Sequence, residues 1–279
     1  MLDADQFARW QRDGCLVLPA FKSPAALAAL RARGQAIVDA FDPGADATVF
    51  SSRERRLVVD RALLESADQV HCFFEEEAFD NQGCLAVPKA QAINKIGHAL
   101  HDRDAEFERF SRDPRLAELA HDLGLVQPLL MQSMLIFKQP RIGGEVVWHQ
   151  DASFLFTEPQ SVVGFWFALE DATRDNGCLW VAPGGHRGPL RERYVCRDGH
   201  LSMLAMDGTP WPEAARTRPL EVPAGTLVVF DGLLPHASAP NRSAQSRMAY
   251  TLHVVDANAT YSPLNWLQRS AIFPARGFS

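Results

Sequence analysis

From about Val126 onward the chain is a succession of short runs rich in β-branched, aromatic and aliphatic residues, at 129–137, 146–148, 162–169, 178–181, 226–230 and 248–255. Glycine, proline, asparagine and aspartate separate them, as in Pro140-Arg141-Ile142-Gly143-Gly144 and Asp175-Asn176-Gly177, which is the punctuation expected between strands. A parallel sheet needs a helix between successive strands. The interval from Leu169 to Cys178 is too short to hold one. This half of the chain therefore points to an all-β core of sandwich or barrel type.

The first 125 residues read differently. Asp3 can cap a short helix that Asp13-Gly14 ends, ahead of the apolar strand Cys15-Leu16-Val17-Leu18. Ser23-Pro24 is an N-cap followed by proline at the first helical position. Leu27, Leu30, Ile37 and Val38 then share roughly one face of a helix running to about Phe41. Residues 42–65 carry mixed signals and read as loop with some helix. Segments 94–101, 104–110 and 113–123 are predicted as three further short helices. Length alone suggests roughly two domains, yet a β-barrel with flanking helices can absorb ~250 residues. With no repeat, low-complexity tract or linker signal, the expectation is one domain over 1–279, with 1–125 mostly helical support and 126–279 mostly β core.

Composition narrows the function classes. Acidic residues outnumber basic ones, 34 to 28, for a formal net charge of -6, where a nucleic-acid binder usually shows a basic surplus. No apolar stretch approaches the ~20 residues of a membrane helix. The first residues carry acids and no basic n-region, so no secretory signal is expected. Five scattered cysteines without a C-x-x-C pair read as reduced thiols, hence a cytoplasmic setting. The expected partner is a small-molecule substrate, and no feature specifies an oligomeric state.

The chemistry begins at His149-Gln150-Asp151. Histidine and aspartate two apart on extended chain project to the same side, their Cα atoms ~6.6 Å apart, and a bend at the strand end lets them converge on one metal ion. Alone the pair means little, since nine histidines among roughly twenty aspartates produce on the order of one such pair by chance. More telling is the ordered set, with His236 after the 226–230 strand, Ser238 next, and Arg247 at the head of the following strand. Two imidazoles and a carboxylate on one face of a metal form the facial triad of non-haem Fe(II) oxygenases, which leaves positions open for a chelating 2-oxo acid and O2. Fe(II) bound to one aspartate keeps one positive charge, and a 2-oxoglutarate dianion turns that into one negative. Arg247 is the cation that would restore neutrality, gripping a carboxylate bidentately with a Coulomb term of about 4 kcal/mol at ~4 Å and an effective dielectric near 20.

Longer strings carry a resemblance. Gln11-Arg12-Asp13-Gly14-Cys15, Ile93-Asn94-Lys95-Ile96-Gly97-His98, Gln132-Ser133-Met134, Gly143-Gly144-Glu145-Val146, His149-Gln150-Asp151-Ala152-Ser153-Phe154-Leu155, Asn176-Gly177-Cys178-Leu179-Trp180 and Asn265-Trp266-Leu267-Gln268 are similar to the phytanoyl-CoA dioxygenase family across nearly the whole chain. The resemblance implies a double-stranded β-helix (jelly-roll, cupin-like) core with an N-terminal helical layer, using Fe(II), 2-oxoglutarate and O2 to hydroxylate a substrate and release succinate and CO2. It implies His149, Asp151 and His236 as iron ligands, Arg247 and Ser238 on the distal carboxylate of 2-oxoglutarate, and Lys95, Met134 and Trp166 as further co-substrate contacts. Related halogenases carry glycine or alanine at the carboxylate position, so Asp151 favours hydroxylation. The turn Pro183-Gly184-Gly185-His186 departs from the serine the family commonly has before the histidine.

Other features have plainer readings. His186 is expected to cap backbone in its turn, and Glu75-Glu76-Glu77 to form a solvated face. Arg53, Arg55 and Arg56 suit either an anionic substrate or an exposed segment. Trp148, Phe137, Phe154, Phe165, Phe167 and Trp180 are expected in the core, with one or two at a substrate cavity. Two alternatives to an oxygenase stay open: a catalytically silent metal-binding β-barrel with a ligand-binding or regulatory role, and a zinc or nickel cupin-type hydrolase or isomerase.

Overall fold

The computed structural model describes residues 1–42, 49–50 and 60–278; Arg53, Arg55 and Arg56 lie outside the described residues. Helix α1 (Ala4–Asp13) starts with a full capping box between Asp3 and Gln6 and stops at Gly14, whose φ of 71° suits glycine. Strand β1 (Cys15–Leu18) follows. Helix α2 (Pro24–Ala40) is capped by the Ser23 hydroxyl and buries Leu27, Leu30, Gly34 and Val38. A Cβ on Gly34 would lie 2.3 Å from Leu135 Cδ2, so the missing side chain is what lets α2 settle onto the sheet.

The chain then runs through β2 (Val49–Phe50), α3 (Asp60–Glu65), β3 (Val70–Glu75), α4 (Lys89–Ala92), β4 (Ile93–His98), α5 (Leu100–Arg103), α6 (Ala105–Ser111) and α7 (Pro114–Asp122). Helices α6 and α7 begin where expected, at Asp104 and Asp113, whose carboxylates accept from first-turn amides. The helix predicted over 94–101 is instead strand β4 with the short α5 behind it. Ile93, Ile96 and Leu100 fall at helical spacing, but β4 hydrogen-bonds to β3 and β5 on its two sides, and those long-range ladders override the local pattern. Strand β3 buries Glu75 and leaves Glu76 and Glu77 exposed. Glu75 Oε2 accepts from the Gly144 amide at 3.1 Å, so the solvated face begins one residue later than expected.

The β half comprises β5 (Pro128–Lys138), β6 (Val146–His149), β7 (Thr157–Glu158), β8 (Val163–Ala168), β9 (Leu179–Val181), β10 (Glu192–Arg197), β11 (His200–Ala205), β12 (Arg218–Leu220), β13 (Leu227–Asp231), β14 (His236–Ser238), β15 (Arg247–Asp256) and β16 (Thr260–Tyr261). An eight-stranded sheet has the order β1-β13-β8-β15-β5-β4-β3-β2, and a four-stranded sheet the order β12-β9-β14-β6. All pairings are antiparallel except β2 with β3. The result is a jelly-roll, mainly β with flanking helices.

Side-chain alternation divides the large sheet. Phe165, Phe167, Leu227, Val229, Tyr250 and Leu252 face a core shared with Leu30, Phe107, Leu116 and Leu119 of the helices. The intervening Trp166, Ala168, Val228, Phe230 and Ala249 face a second core with Leu179 and Val181 of the smaller sheet. Burial on both faces explains why β8 and β13 read as continuous apolar runs.

Candidate metal centre

His149 closes β6 and His236 opens β14, and the two stand opposite each other in the ladder. Asp151 follows in the 3-10 turn Asp151–Ser153. Gln150 between them is buried and braced on three sides, donating to the Pro189 and Leu233 carbonyls and accepting from the Arg191 amide. That brace turns the chain so that Asp151 swings back toward the histidines.

One ligand atom from each of His149, Asp151 and His236 lies within 4.8 Å of the others. Asp151 Oδ1 is 3.8 Å from His149 Nε2 and 3.6 Å from His236 Nε2. His149 Nδ1 lies 2.8 Å from the Val147 carbonyl and His236 Nδ1 2.9 Å from the Leu234 carbonyl. A carbonyl only accepts, so each Nδ1 carries the proton and each Nε2 presents a lone pair to the shared point. Two imidazole nitrogens and one carboxylate oxygen aimed at one spot fit a divalent ion, and the backbone acceptors behind them set ring orientation. Burial alone would push the Asp151 carboxyl up, but His253, His236 and His149, by the positive charge of their protonated rings in the metal-free chain, outweigh it and hold the carboxyl below the usual carboxylate range. Phe154 stands beside this point, its ring centroid 6.0 Å from that of His149.

Arg247 begins β15 and is almost fully buried. Its Nη2 donates to Ser238 Oγ at 3.3 Å, and that hydroxyl donates to the Gly177 carbonyl at 2.9 Å. Among the described residues Arg247 Nε and Nη1 have no hydrogen-bond partner, and no carboxylate pairs with the guanidinium. Burial draws Arg247 down to about 10. A buried guanidinium with unmet donors is costly unless an anion arrives from outside the chain.

Strand register brings the remaining expected residues to the same wall. Thr251 of β15 is flanked by Met134 of β5 and Trp166 of β8, and Ala249 pairs with Ile136, which pairs with Lys95 of β4. Arg247 Cζ lies 5.5 Å from the Trp166 ring and Lys95 Nζ 5.4 Å from the Phe73 ring. Met134 and Ile136 are half-buried where their neighbours on the strand are buried, as wall residues of a cavity would be.

Burial pulls the Lys95 ammonium down to about 7. Above that pH the native chain has shed a proton that the unfolded chain keeps to about 10.4. Stability therefore rises with pH across this window on account of Lys95. Lys95→Met without co-substrate should be more stable than wild type near neutrality, with the gap closing toward pH 10, as read by chemical denaturation at stepped pH. A gap independent of pH would refute this.

His186 sits apart, in the 3-10 turn Gly185–Arg187. A Cβ on Gly14 would lie 2.3 Å from its Nδ1, which has no hydrogen-bond partner among the described residues. It packs over the end of α1, and its Nδ1 does not make the backbone cap expected of it. One site residue escaped the sequence reading: His253 on β15, with Nε2 3.1 Å from Asp151 Oδ2. The alternation Arg247, Ala249, Thr251, His253 along one face of β15 was the available signal.

Comparison with known proteins places these residues in context. The chain is 44% identical over 269 residues to phytanoyl-CoA dioxygenase 1 of Oryza sativa subsp. japonica, covering 96% of this chain and 94% of that one. It is 42% identical to phytanoyl-CoA dioxygenase domain-containing protein 1 of Bos taurus, over 98% and 97%. Among solved structures, the epimerase SnoN in complex with Fe3+, alpha ketoglutarate and nogalamycin RO superposes with a TM-score of 0.66 at 16% identity, over 98% of this chain and 91% of that one. EctD from S. alaskensis with 2-oxoglutarate and 5-hydroxyectoine superposes at 0.64 and 22%, over 99% and 84%. These two likenesses speak to the jelly-roll fold. Residues 10–249 match the family described as Phytanoyl-CoA dioxygenase (PhyH), and with relatives this similar along nearly their whole length the chain belongs to the phytanoyl-CoA dioxygenase family.

Proposed function

We propose that the protein is an Fe(II)- and 2-oxoglutarate-dependent dioxygenase that hydroxylates a small or lipid-like organic substrate. The observation that carries this reading is the buried Arg247, with two unmet donors on the sheet wall that also bears Met134, Trp166 and Lys95. When bound, the iron activates O2 while 2-oxoglutarate is converted to succinate and CO2, one oxygen atom entering succinate and the other the product. His149, Asp151 and His236 would hold the ion, each through one donor atom. Arg247 and Ser238 fix the far carboxylate of the co-substrate, Met134 and Trp166 bound its path, and Lys95 adds a further contact. Asp151 supplies the carboxylate that a halide-binding site would lack, which favours hydroxylation. The relatives named as phytanoyl-CoA dioxygenases and the neighbours solved with small organic molecules support a small-molecule substrate. Five free cysteines suit a reducing, cytoplasmic setting.

The test is succinate release with Fe(II), ascorbate, O2 and 2-oxoglutarate, screened across free and CoA-linked fatty acids and other metabolite classes. Low uncoupled turnover is expected without prime substrate and stimulated turnover with it. Arg247→Gln should raise the KM for 2-oxoglutarate about 10- to 100-fold, the scale of a lost charge-assisted contact. Absence of 2-oxoglutarate turnover, or activity restored by Zn(II) but not Fe(II), would refute the reading.

A further inference from the structure

His253 reaches the metal centre from the large sheet, not from the strand pair that carries the ligands. It stands opposite Gly164 of β8, with its ring buried beside Asp151. The two oxygens of Asp151 have separate neighbours: Oδ1 faces both ligand histidines at 3.6 and 3.8 Å, while Oδ2 lies 3.1 Å from His253 Nε2. Oδ2 is buried, and among the described residues neither Oδ2 nor His253 Nδ1 has a hydrogen-bond partner of regular geometry, so the 3.1 Å approach of His253 Nε2 is a close polar contact. A neutral imidazole carries one proton. In His149 and His236 a carbonyl behind the ring draws it to Nδ1. In His253 no acceptor among the described residues lies behind the ring and a carboxylate oxygen lies in front, so the proton of the neutral ring belongs on Nε2. His253 thus has the opposite tautomer from the ligands and presents a donor where they present lone pairs. The opposite strand leaves room for this contact, because a Cβ on Gly164 would lie 2.8 Å from Asp151 Oδ2 and 2.4 Å from Phe230 Cε2.

We infer that His253 is a positioning residue that holds Asp151 Oδ2 away from the ion, so that Asp151 binds through Oδ1 alone. A carboxylate that chelates through both oxygens takes a second coordination position. Holding one oxygen on an N–H keeps three positions open, the number a chelating 2-oxo acid and O2 require together. This rests on the proposed metal centre and adds a reason for its coordination number.

The experiment uses the full chain loaded with Co(II), whose visible absorption reports coordination number. His253→Phe keeps a ring without the donor, and His253→Leu serves the same purpose should the phenylalanine variant not fold. His253→Gln keeps an N–H within reach of Oδ2. The donor-free variant should lose about 10- to 100-fold in Co(II) affinity, the usual effect of removing a group that orients a ligand, and its spectrum should respond differently to added 2-oxoglutarate. His253→Gln should recover most of the affinity and the wild-type spectrum. A donor-free variant with wild-type circular dichroism, Co(II) affinity and spectrum would overturn the inference, as would a glutamine variant no better than phenylalanine. Wild-type protein that binds no Co(II), or binding that survives His236→Ala, would instead refute the metal centre itself.

Discussion

His149→Ala, Asp151→Ala and His236→Ala are each expected to cut 2-oxoglutarate-dependent succinate formation by about 100-fold or more, beyond the 10- to 100-fold usual for residues that merely orient ligands. Each removes one of three donors that meet within 4.8 Å of one another, and two donors do not hold an ion in a defined geometry. The loss should be separable from misfolding. Because His149 and His236 help hold the Asp151 carboxyl down, removing either should lower the melting temperature of the metal-free protein somewhat, so each variant's response to metal is read against its own metal-free value. Added Fe(II) or Co(II) at about 100 times its Kd should stabilise wild type by about 2.7 kcal/mol, a rise of roughly 5–10 °C for a chain of this size. The alanine variants should show no such rise. Wild-type succinate release from His149→Ala or His236→Ala would reject the triad.

The largest effect on stability is expected at Asp102, far from the chemistry. Its carboxylate is fully buried and meets Arg112 at 2.6 Å, Arg276 at 2.8 Å, Arg269, and His101 Nε2 at 3.3 Å. Arg269 and Arg276 come from the C-terminal segment, so one carboxylate ties the end of the chain to α5. That segment also carries Trp266 and Leu267 into the interior, with the Trp266 ring 5.0 Å from that of His98. Removing one member of a buried ion cluster leaves uncompensated charge, at about 3–5 kcal/mol. Asp102→Ala should therefore lower the melting temperature by roughly 6–20 °C. Burial alone would push the Asp102 carboxyl up, but His101, Arg112 and Arg276 hold it far below the usual carboxylate range. A lowered carboxyl contributes stability in full above its unfolded value of about 3.9 and loses it as pH falls toward the folded value. Asp102→Asn should accordingly flatten the loss of stability below about pH 4 in urea titrations. A melting temperature within about 2 °C of wild type for Asp102→Ala would count against the cluster as the anchor of the C-terminal segment.

Much of the molecule could be read from the order of residues, and the division follows the range of the interaction involved. Asp3, Ser23, Asp104 and Asp113 act on amides two or three residues away, so the helix starts were visible in the chain itself. Strands β5, β8, β13 and β15 were visible because each is an apolar run bounded by turn residues. Strand β3, the β10–β11 hairpin and the true state of β4 were not. Their charged residues blur the alternation, and β4 is a strand because β3 and β5 offer it two ladders. The identities of His149, Asp151, His236 and Arg247 were legible, but their meeting was not. Convergence depends on the register that sets His236 opposite His149, on the Gln150 brace, and on the sheet that brings His253 up to Asp151. A cap is decided by a handful of neighbouring atoms and survives in any context. The register of paired strands is decided by many weak contacts summed across residues far apart in the chain, and only the folded whole selects it.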